Sequence, residues 1–238
     1  ILITVDCGTV SYEPLAAAKE MGFDTIVVDH HIGGDQLPES YAVINPNRVD
    51  EKTPHKYMAA VGVSFMLAVA VNSKLREQGF YEDRKEANLL SLLDLVALGT
   101  VCDVMPLIGA NRAMVAQGLK VLASRSNIGL AALADVAGLS EKPGVFHLGF
   151  LMGPRINAGG RVGEASLGTK LLTTEDAAEA KKIAETLNGL NDERRAIENQ
   201  VEEEATKIVE TEGFDFPMLM PVGHGWHQGV VGICLLYT

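Results

Sequence analysis

The first fifty residues alternate short apolar runs with one polar, helix-forming segment. Apolar runs that end at Asp6, at His31 and at Pro46 predict three strands, and the first two are typical of strands buried on both faces. Between these two runs, residues 11–22 have the amphipathic spacing of a helix that Gly22 ends. A strand, a helix and a strand at this spacing predict a βαβ unit with a parallel sheet.

From about Ala59 the apolar positions change to helical spacing. Four predicted helices occupy residues 59–79, 84–107, 111–124 and 128–139. Residues 143–163 are rich in glycine and proline, so we predict that they interrupt the helices as a loop.

Residues 174 to about 213 carry dense charge around regularly spaced apolar positions, which predicts one long helix capped by Thr174. We interpret it as a rod that joins two domains, with two helices broken near Gly189 as the alternative. Residues 214–222 predict a strand that opens a further domain. The fold class is therefore α/β, with a parallel-sheet core, a large helical portion and three parts: a first domain at 1–173, a connecting helix at 174–213 and the start of a second α/β domain at 214–238. Because the chain begins and ends inside apolar runs, we expect it to be an internal portion of a longer protein.

Composition and charge narrow the function classes. The longest apolar run, Val63–Val71, is about half as long as a membrane span, so we expect no membrane association. Cys7, Cys102 and Cys234 show no CxxC spacing, which favours reduced thiols in a cytoplasmic protein. The net charge of −11 argues against binding of nucleic acid through bulk attraction, but it allows an enzyme whose phosphate contacts lie in one groove.

Metal-binding residue types follow two neighbouring predicted strands. Asp6 ends the first strand, and Asp29, His30 and His31 end the second, at the edge where open α/β sheets bind ligands. Asp6 alone would also suit a helix cap. Adjacent residues of an extended chain point to opposite sides, so the triplet cannot bind one ion together. One histidine can bind the ion while the aspartate or the other histidine orients it or meets substrate.

A third acid, Asp103, lies in the largely apolar stretch Leu98–Leu107. A lone aspartate in such a stretch is most often a cap or an ion-pair partner. Together with the other acids and histidines it predicts a site for Mn²⁺ or Mg²⁺ rather than structural zinc, which favours thiolates. Two such ions about 4 Å apart, bridged by a carboxylate, would form a phosphoryl-transfer site.

Two glycine-rich segments predict anion binding. Gly153–Arg161 combines Arg155, Asn157 and Arg161 with glycines whose backbone can approach a phosphate closely, which favours a phosphate or nucleic-acid clamp over a structural loop. Residues 223–233 form a second such segment ahead of a further helix or strand. Its candidate phosphate-binding or nucleic-acid-binding residues are Gly225, Trp226, His227 and Gly229. The tryptophan could stack on a base or fill the interior of the domain.

The ordered motifs "VDCG", "VDHH" and "GTVCDVMPL" resemble the second, third and fourth motifs of the DHH phosphoesterase superfamily. "GPRINAGGR", the long helix and "GWHQGVVGI" are similar to its single-strand-specific exonucleases, and this similarity covers essentially the whole chain. The resemblance implies that Asp6 bridges two Mn²⁺ or Mg²⁺ ions. It also implies that His30 and Asp103 complete the coordination shell of one of these ions. It implies catalytic roles for two further residues: Asp29 would support the metal ligands from behind, and His31 would contact the scissile phosphate or support the site.

The same resemblance implies a function and further contacts. Arg155, Asn157 and Arg161 would hold the DNA backbone or its 5′ end, and the segment around His227 would be the phosphate-binding motif of a DHHA1 domain. The implied activity is metal-dependent 5′→3′ hydrolysis of single-stranded DNA in recombination and repair. A monomer is implied, with single-strand-binding protein and a helicase as partners.

The sequence departs from the family in several places. Gly159, Gln228 and Cys102 stand where alanine, proline and alanine are usual, and the first motif, an Asp-x-Asp, would lie before Ile1. We therefore expect the chain by itself to be inactive. One alternative is a DHH/DHHA1 phosphodiesterase for short oligonucleotides or cyclic dinucleotides. A second is a non-catalytic replication scaffold, but such a protein would lose the metal ligands that this sequence retains. A third is a dehydrogenase, for which no GxGxxG turn is visible.

Overall fold

A computed structural model describes residues 1–212 and 219–234, and its sheet confirms the predicted parallel arrangement. The three strands, in the order β1-β2-β3, are β1 (Leu2–Val5), β2 (Thr25–Val28) and β3 (Ala42–Ile44). Val5 pairs with Val28, and Val28 pairs with Ile44. Because these paired residues are the last of their strands, the residues that follow each strand lie side by side at one edge of the sheet.

The central strand β2 carries the core of the sheet. Val27 packs with Leu15 of the first helix and Val43 of β3, whereas Val28 on the opposite face packs with Met58 and Val63. The apolar β2 residues are therefore divided between two packed layers, as the alternation of side chains along a strand requires.

The prediction that β1 is buried on both faces is wrong. Leu2, Ile3 and Val5 are 40%, 53% and 53% exposed. Within the described residues β1 pairs only with β2, and Leu15 of the helix that follows it packs on Val27 of β2 and Val43 of β3. An apolar run predicts a strand, but it does not report whether another element covers that strand.

The helices follow most of the predicted segments. Among the described residues they are α1 (Tyr12–Glu20), α2 (Ala60–Glu77), α3 (Leu93–Cys102), α4 (Gly109–Ala123), α5 (Ile128–Val136), α6 (Gly153–Val162), α7 (Ser166–Thr173), α8 (Ala177–Glu212) and α9 (Gln228–Cys234). A 3₁₀ turn at Leu89–Leu92 precedes α3, and a π-helical segment at His147–Met152 precedes α6. None of the described helices is long and apolar enough to cross a membrane.

Residues 143–163 contain the clearest departure from the predicted structure. The predicted loop is helical from His147 to Val162, with Pro154 in the first turn of α6, where its missing N–H and fixed φ are tolerated. Gly159 of α6 is buried, and an added Cβ would lie 3.0 Å from the backbone oxygen of Glu164. Close packing therefore explains why a glycine occupies this position. The same packing stabilises the helix even though its glycines have a low helix propensity.

The long helix α8 runs unbroken through Gly189, so the alternative of two helices is wrong. Asp176 rather than Thr174 caps it, because Oδ1 of Asp176 accepts from the backbone N–H groups of Ala178 (2.7 Å) and Glu179 (3.0 Å). Its first half buries one side, and α5, α6 and α7 pack against the helix. The buried residues there are Ala180, Ile183, Ala184, Leu187 and Asn191.

The chain divides into two compact units. The first comprises Ile1–Ser126 and Pro143–Gly149, and the second comprises Asn127–Lys142 and the chain from Phe150 onward. These boundaries differ from those of the predicted domains at 1–173, 174–213 and 214–238, which stay a prediction. Most of the strand predicted at 214–222 lies outside the described residues, and residues 219–223 form neither helix nor strand.

Candidate metal centre

Asp6 directly follows β1 and turns the chain at the edge of the sheet. Its backbone N–H continues the ladder by donating to the carbonyl of Val28 (2.9 Å), and its φ of +61° lies in the left-handed region. Aspartate adopts this region more readily than most residues, at a cost of order 1–2 kcal/mol. Strain of this kind is found preferentially at functional sites.

His30 brings the predicted ligands of the first unit together. Its Nε2 lies 3.3 Å from Oδ1 of Asp6 and 3.5 Å from Oδ2 of Asp103, and its side chain is only 8% exposed. One ligand atom from each of Asp6, His30 and His31 lies within 4.8 Å of the other two. Ligands on opposite sides of a Mg²⁺ ion lie about 4 Å apart, so this spacing fits one divalent ion.

Asp103 reaches this group from the end of a helix. It follows the last residue of α3 and donates its backbone N–H to the carbonyl of Gly99 (3.0 Å). Burial raises the pKa of Asp103 above its ordinary value, and the negative charge of Asp6 adds to the rise. A cation between the two carboxylates would remove that repulsion, so the electrostatics of the site fit a bound metal.

Asp29 lies in the interior behind the two histidines and is 1% exposed. Its Oδ2 accepts from the backbone N–H (3.0 Å) and the hydroxyl (2.6 Å) of Thr9, and its Oδ1 accepts from Nδ1 of His31 (2.7 Å) and from two backbone N–H groups. Burial by itself would raise the pKa of Asp29, but these donors together hold that pKa well below its usual range. Asp29 is therefore ionised, and its hydrogen bonds hold the backbone of His30 and His31 and the ring of His31 in place.

His31 lies between Asp29 and the surface, with a side chain that is 60% exposed. The hydrogen bond to Asp29 raises the pKa of His31 above its ordinary value, against the opposing effect of burial. Because the carboxylate can only accept, Nδ1 of His31 carries the hydrogen, and Nε2 of the neutral ring is left to bind a ligand.

Sequence reasoning missed three polar residues around the triplet. Thr9 bonds Asp29, Asn45 donates to the hydroxyl of Thr9 (2.7 Å) and to the carbonyl of His31 (2.9 Å), and Asn47 donates to the carbonyl of His30. Each is a single polar residue in a loop and carries no local pattern. Only the strand register, which aligns the ends of β2 and β3, could have indicated that Asn45 lies beside Asp29.

The structure places Arg155, Asn157 and Arg161 on α6 in the second unit, so the prediction that they lie in a glycine-rich loop is wrong. In a helix most backbone N–H groups are already bonded within the helix. Arg155 is half-buried and donates through Nε to Asn188 (2.9 Å) and through a terminal nitrogen to the carbonyl of Leu151 (2.7 Å). Burial lowers the pKa of Arg155 from its ordinary value, and Asn157 is exposed.

The segment before α9 lies in the same unit as α6. Gly225 has a φ of +83°, and His227 accepts a hydrogen bond from the N–H of Gly229 (3.1 Å). A Cβ at Gly229 would lie 2.3 Å from the backbone oxygen of Arg161, whose guanidinium in turn donates to the carbonyl of Gly229 (3.0 Å). Glycine is therefore required where α6 meets the start of α9.

Trp226 is half-buried and bonded by its indole nitrogen to a carboxylate oxygen of Glu204 on α8 (2.7 Å). Its ring covers Gly223, where an added Cβ would lie 1.9 Å from the ring. The ring thus packs on the backbone of its own segment and does not enter the core of the unit.

Comparison with known proteins shows which family the chain is similar to. Residues 1–100 match the model of the DHH family, N-terminal domain. The particular relatives are exonucleases named RecJ. The chain is 41% identical to the single-stranded-DNA-specific exonuclease RecJ of Salmonella typhimurium over 98% of its own length and 42% of that protein. It is 42% identical to the RecJ of Escherichia coli over the same shares.

Solved structures agree with the sequence relatives. Thermus thermophilus RecJ in complex with Mn²⁺ matches 97% of this chain and 33% of its own, with a TM-score of 0.79 and 33% identity. An exonuclease RecJ bound to manganese matches 97% of this chain and 56% of its own, with a TM-score of 0.80 and 34% identity. The α/β fold with its small parallel sheet thus matches the part of RecJ that the chain covers, and the chain spans less than half the length of its curated relatives.

Proposed function

We propose that this chain is the catalytic portion of a divalent-metal-dependent exonuclease that hydrolyses single-stranded DNA from the 5′ end, in recombination and repair. The observation that carries the proposal is the meeting of Asp6, His30 and Asp103, from three separate elements, at the carboxyl edge of the sheet. The chain is similar, over nearly its whole length, to proteins named single-stranded-DNA-specific exonuclease.

The residues of the site fit Mn²⁺ or Mg²⁺. Asp6, His30 and Asp103 offer carboxylate oxygens and an imidazole nitrogen, a mixed donor set that suits these ions, and Asp6 would be shared by two of them. When bound, such ions stabilise the negative charge that develops on a phosphate and lower the pKa of a bound water. His31, with Nε2 directed away from Asp29, would contact the scissile phosphate.

The arginines of α6 suit a phosphate backbone because neither forms an ion pair among the described residues, although the charge of Asp192 acts on Arg155. Among the described residues, Arg155 and Arg161 donate to neutral oxygens, whereas Arg48, Arg76 and Arg194 are each paired with a carboxylate. A guanidinium with free donors binds phosphate oxygens in a fork. Asn157, exposed on the same helix, would add a neutral donor.

The segment before α9 would contact the same strand of DNA. His227 and the glycines at 225 and 229 would bind a phosphate, and the exposed part of Trp226 would stack on a base. In this proposal the whole protein is a cytoplasmic monomer, and its partners are single-strand-binding protein and a helicase.

The metal assignment is tested by His30→Gln and Asp103→Asn, each of which removes one ligand atom. We expect each to weaken Mn²⁺ binding to this chain by at least about tenfold, measured by calorimetric titration. Asp83→Asn is the matched control, because it removes the same charge from an exposed residue that pairs with Arg84.

In a protein of the length of RecJ that carries this chain, the same two substitutions should abolish Mn²⁺-dependent release of nucleotides from single-stranded DNA. Wild-type Mn²⁺ affinity and wild-type hydrolysis in Asp103→Asn would refute the assignment of that residue. Equal activity on dinucleotides and on long strands would favour the alternative phosphodiesterase.

A further inference from the structure

A continuous line of hydrogen bonds connects the end of β3 to the exposed histidine of the triplet. Nδ2 of Asn45 donates to the hydroxyl of Thr9 (2.7 Å), which donates to Oδ2 of Asp29 (2.6 Å), and Oδ1 of Asp29 accepts from Nδ1 of His31 (2.7 Å). Thr9, Asp29 and Asn45 are 1%, 1% and 4% exposed. The line therefore begins in the interior and ends at a side chain that is largely in solvent.

The direction of every bond in this line is fixed by groups that can act in one way only. The backbone N–H of Asn47 donates to Oδ1 of Asn45 (2.7 Å), so the amide nitrogen of Asn45 must face Thr9. The ionised Asp29 can only accept, so the single hydrogen of the Thr9 hydroxyl goes to Asp29. Both hydrogens of the Asn45 amide are used, because the second goes to the carbonyl of His31 (2.9 Å).

Strand register explains how three distant residues form this line. Thr9 follows β1, Asp29 follows β2 and Asn45 follows β3, and the N–H of Asp29 donates to the carbonyl of Ile44 (3.0 Å). Each parallel strand thus contributes one polar residue at the same edge of the sheet. Asn47 extends the arrangement by holding the carbonyl of His30.

We propose that Thr9 and Asn45 are positioning residues for the metal centre, which act through Asp29 to hold the backbone of His30 and to keep the hydrogen of His31 on Nδ1. Among the described residues neither side chain bonds Asp6, His30 or Asp103, and Asn45 touches only the backbone carbonyl of His31 besides Thr9 and Asn47. Without the line, Asp29 would keep its charge and its backbone donors but lose the hydroxyl of Thr9, whose orientation Asn45 fixes. The imidazole of His31 would then sample both tautomers, and only one of them leaves Nε2 free to bind. The use of Nε2 at a phosphate rests on the proposed function.

Thr9→Val tests this role because valine has nearly the shape of threonine but no hydroxyl. We expect a 10- to 100-fold loss of Mn²⁺ affinity in the 238-residue chain, the usual effect of removing a group that orients a ligand. We also expect a second tautomer of His31 in the long-range ¹H–¹⁵N spectrum of the metal-free chain, recorded where the imidazole is neutral. Thr9→Ser, which restores the hydroxyl, should return both measurements close to wild type.

A purely structural role for Thr9 would lower the melting temperature but leave the tautomer and the affinity unchanged, and that result in a folded Thr9→Val chain would overturn the proposal. Equal losses of Mn²⁺ affinity and of the wild-type tautomer in Thr9→Ser and Thr9→Val would also overturn it. Such losses would come from the altered shape of the side chain and not from the missing hydroxyl. If Thr9→Val does not fold, Asn45→Leu removes the donor one step further away, and a wild-type tautomer there has the same meaning. Failure of the wild-type chain to bind Mn²⁺ would refute the proposed function, while the tautomer would still test the line.

Discussion

Two residues at the candidate metal centre hold a backbone conformation that their side chains disfavour. Asp6 has a φ of +61°, and Val104, directly after Asp103, has a φ of +54°. Val104 is 74% exposed, so burial of its side chain does not compensate for the strain. The strain at Val104 is associated with the sharp end of α3, which presents Asp103 to His30.

Val104→Gly should stabilise the protein. A β-branched residue in the left-handed region costs about 1–2 kcal/mol, and glycine avoids this cost while losing about 0.5–1 kcal/mol of chain entropy. We expect the free energy of unfolding in urea to rise by roughly 0.5–1 kcal/mol. Val49→Gly is the control, because Val49 is also exposed but has no positive φ, and it should not stabilise. A lower urea midpoint for Val104→Gly would show that the valine side chain itself holds the turn.

Residue chemistry was predictable where it formed a local pattern. Asp6 and His30 lie at the ends of apolar runs and Asp103 lies within one, and the structure brings the three together. Thr9 and Asn45 could not be recognised, because a single threonine or asparagine in a loop acquires its partners only when the strands are placed in register. Their contribution is a property of tertiary structure.

At the scale of elements, the helices illustrate the same division between pattern and packing. The spacing of apolar residues predicted α2, α4 and α5. It did not predict α6, since the glycines and proline of that helix indicate a loop when they are considered without their neighbours. Because Gly159 has no side chain, the backbone of Glu164 can approach it closely, and Gly168 of α7 likewise leaves room for Ile156 of α6.

Two glycines in helices should respond to alanine in opposite ways. Gly189 is exposed in the middle of α8 and has open space around it, so Gly189→Ala should stabilise by about 1 kcal/mol through helix propensity. At Gly118 of α4 an added Cβ would lie 2.0 Å from the carbonyl oxygen of Leu93 on α3, so Gly118→Ala should destabilise by about 1–3 kcal/mol. Urea unfolding of both variants checks the signs. Destabilisation by Gly189→Ala would mean that α8 uses flexibility at that position.

At the scale of the whole molecule, electrostatics limits where a nucleic acid can bind. The chain has 20 lysines and arginines against 31 aspartates and glutamates, so its net field repels phosphate. Affinity for DNA must therefore come from local cations that are not already paired with acids. Arg155, which donates to a carbonyl and to an amide, meets this condition.

Arg155→Gln should weaken binding of single-stranded oligonucleotides to this chain and lessen its dependence on salt. Loss of one phosphate contact should reduce the slope of log K against log salt concentration by about 0.7, measured by fluorescence anisotropy. Lys181→Gln is the control, since Lys181 is exposed on α8 and lies 3.9 Å from a carboxylate oxygen of Glu185. An unchanged slope for Arg155→Gln would mean that the arginine only supports the contact of α6 with Asn188 on α8.

The continuity of α8 also restricts how the length of the chain can vary. The helix contacts Arg155 through Asn188 and Trp226 through Glu204, sixteen positions further along. One inserted or deleted residue between them would rotate the second contact by about 100° and move it by about 1.5 Å relative to the first. The number of residues between Asn188 and Glu204 is therefore constrained by the relative orientation of these two contacts around the helix. The identities of the residues between them are not constrained in this way. Insertions and deletions among related proteins should accordingly fall in the turns outside this stretch.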